Sequence, residues 1–141
     1  SLQLPGGVFA AALVGVNAFG DVVENGRILA GTQKNGIHIN TAQHLLEHKA
    51  QVEFMKGRNT TIGVVATNAA LSKDEAAKLA QVAHDGLAKA IDPIHTMVDG
   101  DTMFSLSYGT RTADMNALIT AVIEVTRRAV VNSVLAAGET K

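Results

Sequence analysis

Apolar positions fall into a few long blocks separated by turn residues, and each block predicts an element. GVFAAALVGVNAFGDVV, from Gly7 to Val23, is dominated by small apolar residues. It predicts a buried strand ending near Asn17, then a turn at Gly20-Asp21. The next stretch carries two Asn-Gly pairs, Asn25-Gly26 and Asn35-Gly36, which mark tight turns. Asn40 predicts the cap of a short helix over TAQHLLEHKAQVEF, with Gln43 at the capping-box position. TIGVVATNAAL, opening at Thr61, reads as a buried strand rich in β-branched residues. Ser72 and Glu75 form a capping box ahead of SKDEAAKLAQVAHDGLAKAI, a helix whose inner face is mostly alanine and which ends at Pro93. Such a face predicts close packing on a sheet. An acidic turn then leads to a short strand, Met103 to Ser107. A last helix runs from about Ala113 to Ala137, with Gly138 as its C-terminal cap. Apolar residues cover more than one of its faces, so it lies deep in the domain or meets another subunit.

Strands interleaved with helices imply a layered α/β or α+β domain. At 141 residues the chain is one domain's worth and can bury a core. Residues 26–58 are the one linker candidate. The chain opens at Ser1, without methionine, directly in strand-like sequence, which reads as a fragment or a processed chain.

Composition narrows the chemistry. Apolar residues make up 47% and charged residues 18%, with a formal net charge of -1, so the chain is globular and lacks the positive clustering that nucleic acid requires. Without cysteine, disulfides, thiol catalysis and Cys-ligated zinc are excluded, and a cytoplasmic location is expected. No basic residue precedes the first apolar run, which is too short to span a bilayer, so no membrane partner is expected.

Three motifs could carry chemistry. HLLEH places His44, Glu47 and His48 in the H-x-x-E-H pattern of a helical zinc site, with Glu124 spaced as a third ligand. An exposed amphipathic helix explains the same residues, and no metal or cofactor is expected. DGDT puts two carboxylates, Asp99 and Asp101, on a glycine turn, where they could bind a cation or orient another group; an ordinary turn uses the same residues. NTT places Thr60 and Thr61 after Asn59. A threonine hydroxyl needs a base beside it, and an N-terminal threonine carries one, because its α-amine has a pKa of about 8. Thr60 is internal, so that chemistry first requires a cut between Asn59 and Thr60. By composition alone both threonines are strand formers.

LPGGVFAAALVGVNAFGDVV, NTTIGVVATNAALS, AHDGLAKAI and HTMVDGDTMFSLS resemble successive blocks of the DmpA-type aminopeptidases. That family comprises the L-aminopeptidase/D-Ala-esterase/amidases, the β-aminopeptidases and the nylon-oligomer hydrolases. The resemblance covers nearly the whole chain. It implies an αββα sandwich and a precursor that cuts itself into two subunits. Residues 1–59 would end the first subunit and 60–141 would form the second, together the C-terminal portion of a longer precursor. It further implies Thr60 as nucleophile, Asn17 as the amide that stabilises the oxyanion, and Asp99 and Asp101 as the pair orienting the nucleophile and its amine. Other members carry Ser and Glu at the last two positions, so the Asp pair is nearer the nylon-hydrolase branch. Many members read ATDA where this chain has ATNA at Asn68.

The implied activity is hydrolysis of short peptides, amino-acid amides or esters, or 6-aminohexanoate oligomers through an acyl-enzyme, with no cofactor. The implied assembly is a homo-oligomer, a tetramer in the family pattern. A lysine assisting catalysis in nylon-type enzymes would lie upstream of Ser1. The ornithine acetyltransferases, which share the fold and also cut before a threonine, are the alternative, and a zinc peptidase using His44, Glu47 and His48 comes third.

Overall fold

The computed structural model describes residues 1–47 and 59–139. Its main sheet holds four strands, β1 (Leu2–Gln3), β2 (Phe9–Asn17), β7 (Thr60–Ala69) and β9 (Thr102–Arg111), in that spatial order. β1, β2 and β7 pair antiparallel, whereas β7 and β9 are parallel. Parallel neighbours need a long crossover, and α2 (Lys73–Ala88) lies within it. Together with α3 (Met115–Glu139) it covers one face of the sheet, giving an α+β domain.

Side-chain alternation decides what each face carries. Ala10, Val65, Ala69 and Met103 point under the helices and are buried with Leu79, Leu87, Leu118, Val122 and Val130. The intervening residues Phe9, Leu13, Ile62, Phe104, Leu106 and Tyr108 are exposed. The strands expected to be buried throughout are therefore covered on one side only by the described residues. The apolar character of the open side marks it as a surface for further packing.

Local signals in the helices act in part as the sequence predicts, although α2 ends at Ala88, short of Pro93. Ser72 Oγ accepts the Glu75 N–H at 3.2 Å, and the Glu75 carboxylate accepts the Ser72 N–H at 2.8 Å. This closes the capping box. Within α2, Gly86 lets α3 approach: a Cβ there would stand 2.6 Å from Ile123 O and from Thr126 Cβ. Helix α3 begins at a cap the sequence reading passed over, Asp114, whose Oδ1 accepts the Ala117 N–H at 2.7 Å. Its predicted C-cap, Gly138, instead lies inside the helix, which runs on to Glu139. The breadth of its apolar surface reflects packing against β2 and α2 at once.

Residues 26–47, inside the stretch read as a linker, carry regular structure. β3 (Asp21–Glu24), β4 (Arg27–Ala30) and β8 (Ile91–Asp92) form a second sheet in the order β4-β3-β8. β5 (Gln33–Lys34) and β6 (Ile37–His38) make a small hairpin. Both Asn-Gly pairs turn as predicted, with φ of 50° and 75° at Asn25-Gly26 and 55° and 78° at Asn35-Gly36. Buried Asp21 accepts both the N–H and the hydroxyl of Thr41, at 2.7 and 2.8 Å. That holds the start of α1 (Thr41–Glu47). Asn40 caps α1 through Gln43 N–H, but the Gln43 side chain turns to Glu47 and leaves the box half made. The rest of the helix predicted there lies outside the described residues. No helix among the described residues is long and apolar enough to cross a membrane.

Asn68 explains its own departure from the ATDA pattern. Its Oδ1 accepts the Phe9 N–H and its Nδ2 donates to Gly7 O, both at 3.0 Å. An aspartate would keep the first bond and lose the second.

Glu124 sits in an ion-pair cluster. Arg127 and Arg128 donate to its carboxylate, and Arg127 also reaches Glu24 at 2.9 Å. Hydrogen bonding to Arg127, then to Arg128, holds its pKa down at about 2, against an ordinary 4.5. A carboxyl whose folded pKa is depressed contributes stability that is present above its unfolded pKa and lost as pH falls through the folded one. Glu124→Gln should therefore be less stable than the parent at neutral pH. Acid melts should show that gap closing as pH drops from about 4.5 towards about 2, and a gap unchanged across that window would show the pairs contribute nothing.

Candidate functional site

Thr60 opens β7 and Asn17 closes β2, and the antiparallel register sets these two residues directly opposite each other. Opposed residues project from the same face with Cβ atoms about 5 Å apart. The face they share is the open one, and both are exposed. Thr61, one step along, is completely buried on the helix side. Period-two geometry thus separates the two hydroxyls: one reaches the open face and the other is enclosed.

Asn59 and Asp99 form a parallel bridge that continues the pairing of β7 with β9 beyond the strand ends. This extension puts Gly100 alongside Thr60, and a Cβ at Gly100 would come 3.0 Å from Thr60 Oγ1. The glycine between the two aspartates is therefore where the hydroxyl needs room. The carbonyl oxygen of Asn59 receives two donors, the Thr60 hydroxyl at 2.7 Å and the Gly100 N–H at 3.0 Å. Both donors polarise the carbonyl, and the Gly100 N–H is the one placed to meet a developing oxyanion.

The aspartates hold the backbone around this junction. Asp99 Oδ1 accepts the Phe19 N–H at 3.2 Å, just beyond Asn17, and its Oδ2 accepts the Thr96 N–H and hydroxyl at 3.0 and 2.7 Å. Asp101, with its side chain 3% exposed, accepts the Thr61 N–H on Oδ1 at 2.8 Å and meets His95 Nδ1 with Oδ2 at 2.9 Å. Asn17, Thr60, Asp99 and Asp101 are accordingly brought to one end of the sheet. The Asp101 carboxylate is anchored on the amide that follows Thr60 and the Asp99 carboxylate on Phe19 and Thr96, while the Thr60 hydroxyl turns to the Asn59 carbonyl.

Four contributors were not singled out in the sequence. Gly100 was seen only as a turn residue, although its place between the aspartates marked the one position there without a side chain. Thr96 and His95 lie in the quoted HTMVDGDT block, and their role depends on loop geometry that no periodicity reports. His84, on α2, packs edge-on against His95 with ring centroids 4.9 Å apart. Burial, and then the nearness of His95, pushes the His84 pKa down, while Asp101 and Asp85 act in the opposite direction. Two buried polar atoms at the junction, Asn59 Nδ2 and Thr61 Oγ1, have no partner among the described residues.

The zinc pattern fares differently. His44 and Glu47 lie on α1, and His48 lies outside the described residues. Glu124, the spaced third ligand, has its carboxylate engaged by Arg127 and Arg128. Among the described residues no three His, Cys, Asp or Glu side chains gather as a metal site.

The sequence model described as peptidase family S58 matches residues 2–141. An uncharacterized aminopeptidase of Mycobacterium leprae (strain TN) is 37% identical over 123 residues, covering 82% of this chain and 34% of that protein. A 6-aminohexanoate-oligomer endohydrolase of Kocuria sp. (strain KY2) is 39% identical over 49 residues, 35% of this chain and 14% of that enzyme. The chain thus spans about a third of the length of the mycobacterial relative. The solved L-aminopeptidase D-Ala-esterase/amidase from Ochrobactrum anthropi aligns with 93% of this chain and 41% of its own, at 16% identity and a TM-score of 0.48.

Proposed function

The chain belongs to peptidase family S58, and from that premise we propose that it is part of a self-processing amide hydrolase whose nucleophile is Thr60. One observation carries the proposal. The Thr60 hydroxyl lies on the Asn59 carbonyl, whose oxygen also receives the Gly100 N–H.

In the first reaction Thr60 Oγ1 attacks the Asn59 carbonyl carbon, with Gly100 N–H stabilising the charge on its oxygen. The hydroxyl proton passes to the Thr60 nitrogen as the C–N bond breaks. An ester then joins Asn59 to the threonine oxygen. Water opens it, leaving the Asn59 carboxylate and a free Thr60 amine. In the second reaction that amine takes the hydroxyl proton, and Oγ1 attacks a substrate amide on the open face. The Asn17 amide donates to the resulting oxyanion, and the leaving amine departs with the proton. Water finally hydrolyses the acyl-enzyme. Asp101 serves by holding the Thr61 amide next to Thr60, and Asp99 by holding the Phe19 amide beyond Asn17 and the loop at Thr96; a carboxylate near the new amine would also favour its charged form.

The substrate class is short peptides, amino-acid amides or esters, or 6-aminohexanoate oligomers; the name of the Kocuria relative supports the last. The open face would take a second sheet to complete an αββα sandwich, supplied by the rest of a longer precursor, in which residues 1–59 end one subunit and 60–141 make the other. A homo-oligomer, tetrameric in the family pattern, is the proposed assembly. An acyl transferase of the ornithine acetyltransferase type would use the same threonine and differ in its acceptor. Intact mass of the purified full-length protein tests the core of the proposal: a product starting at Thr60 is expected, and a single uncut chain overturns it. Offering an amine acceptor alongside water then separates transfer from hydrolysis.

A further inference from the structure

We infer that His95 is a positioning residue for Thr60, acting through Asp101. The inference rests on the Thr60 reading above and adds a residue to it.

Asp101 is almost wholly enclosed, and an enclosed carboxylate needs a donor for each oxygen. Oδ1 takes the Thr61 N–H at 2.8 Å, and His95 supplies the partner for Oδ2 at 2.9 Å. For that contact Nδ1 must carry a hydrogen, which sets the neutral ring as the Nδ1–H tautomer. The backbone of His95 sits in the left-handed region at φ 56°, which an L-histidine rarely adopts and which local contacts must compensate. Its ring is fixed from the other side by the edge contact with His84. A continuous connection therefore runs from α2 through His84, His95 and Asp101 to the amide that follows Thr60. Without the His95 donor, Asp101 Oδ2 is left unmatched, and the carboxylate gains reason to rotate. Oδ1 then loosens its hold on Thr61 N–H, and the Thr60 hydroxyl loses its fixed relation to the carbonyl it attacks. Misplacement by about 1 Å can cost on the order of 100-fold in rate.

Three variants of the full-length protein separate this role from a purely structural one. Glycine suits φ 56° better than histidine does but has no donor. Asparagine tolerates the conformation and places an amide nitrogen where Nδ1 was. Glutamine carries its amide one atom further out. His95→Gly is expected to fold with an unreduced Tm, yet to slow both processing and kcat by roughly 10- to 100-fold, with KM within about twofold. His95→Asn should recover most of the rate, and His95→Gln should not. Hydrogen exchange at the Thr61 amide should quicken in His95→Gly and stay slow in His95→Asn. Wild-type rates in His95→Gly overturn the inference. So does an asparagine variant as slow as the glutamine one, a comparison that holds if the glycine variant fails to fold. Unchanged Thr61 exchange overturns it without any activity assay. If Thr60→Ala remains active, the nucleophile reading has failed on its own, and the exchange result still decides the His95 contact.

Discussion

Thr60→Ala in the full-length protein will leave the chain uncut between Asn59 and Thr60 and reduce amide turnover by on the order of 10⁴-fold or more. In the proposed mechanism the hydroxyl is the nucleophile in both reactions, and a methyl group offers no lone pair. Even if the chain were cut by other means, the new amine would have no oxygen to activate. Thr60 is exposed, so the fold should be little affected, with stability within about 0.5 kcal/mol of the parent. Mass measurement reads the first effect and amide hydrolysis the second. Finding the alanine variant split at its usual place would sink the assignment. Thr60→Ser keeps the hydroxyl and should still be processed, which guards against a general loss of folding.

The second large effect is selective. Asn17→Ala should lower kcat for amide hydrolysis by about 10²- to 10³-fold, the usual cost of one oxyanion donor. Self-cleavage should suffer far less. The Asn59 carbonyl already has the Gly100 N–H at 3.0 Å, and a backbone donor survives any side-chain change at Asn17. A substrate carbonyl on the open face would instead meet the Asn17 amide across the strand pair. Comparing processing with turnover in the same variant checks this division. Equal loss in both would mean that one oxyanion site serves the two reactions.

The fit between sequence and fold was best where the signal is short-range. The capping box at Ser72 and Glu75, both Asn-Gly turns and the end of β2 at Asn17 depend on a few neighbouring residues, and they stand where expected. β9 ran longer than its apolar core because pairing with β7 extends it to Arg111. β3, β4 and β8 escaped because strands this short are stabilised by partners distant in sequence rather than by their own pattern. Gly138 was misread for a related reason: glycine only permits a helix to end, and α3 continues through it.

For the candidate site, the sequence by itself determined the chemistry-bearing types and their local order. It supplied an asparagine at a strand end, paired threonines at a strand start, and two aspartates around a glycine. It could not decide which threonine faces outward, because alternation orders two neighbours without saying which face the helices cover. Tertiary packing decided that, burying Thr61 on the helix-covered side and leaving Thr60 opposite Asn17. The register between β2 and β7, the bridge that sets Gly100 beside Thr60, and the link from His84 to Asp101 are likewise tertiary. The physical reason is that hydrogen-bond pairing between strands, and packing of a helix on a sheet, are set by the whole domain's burial of apolar surface. No window of neighbouring residues contains that information.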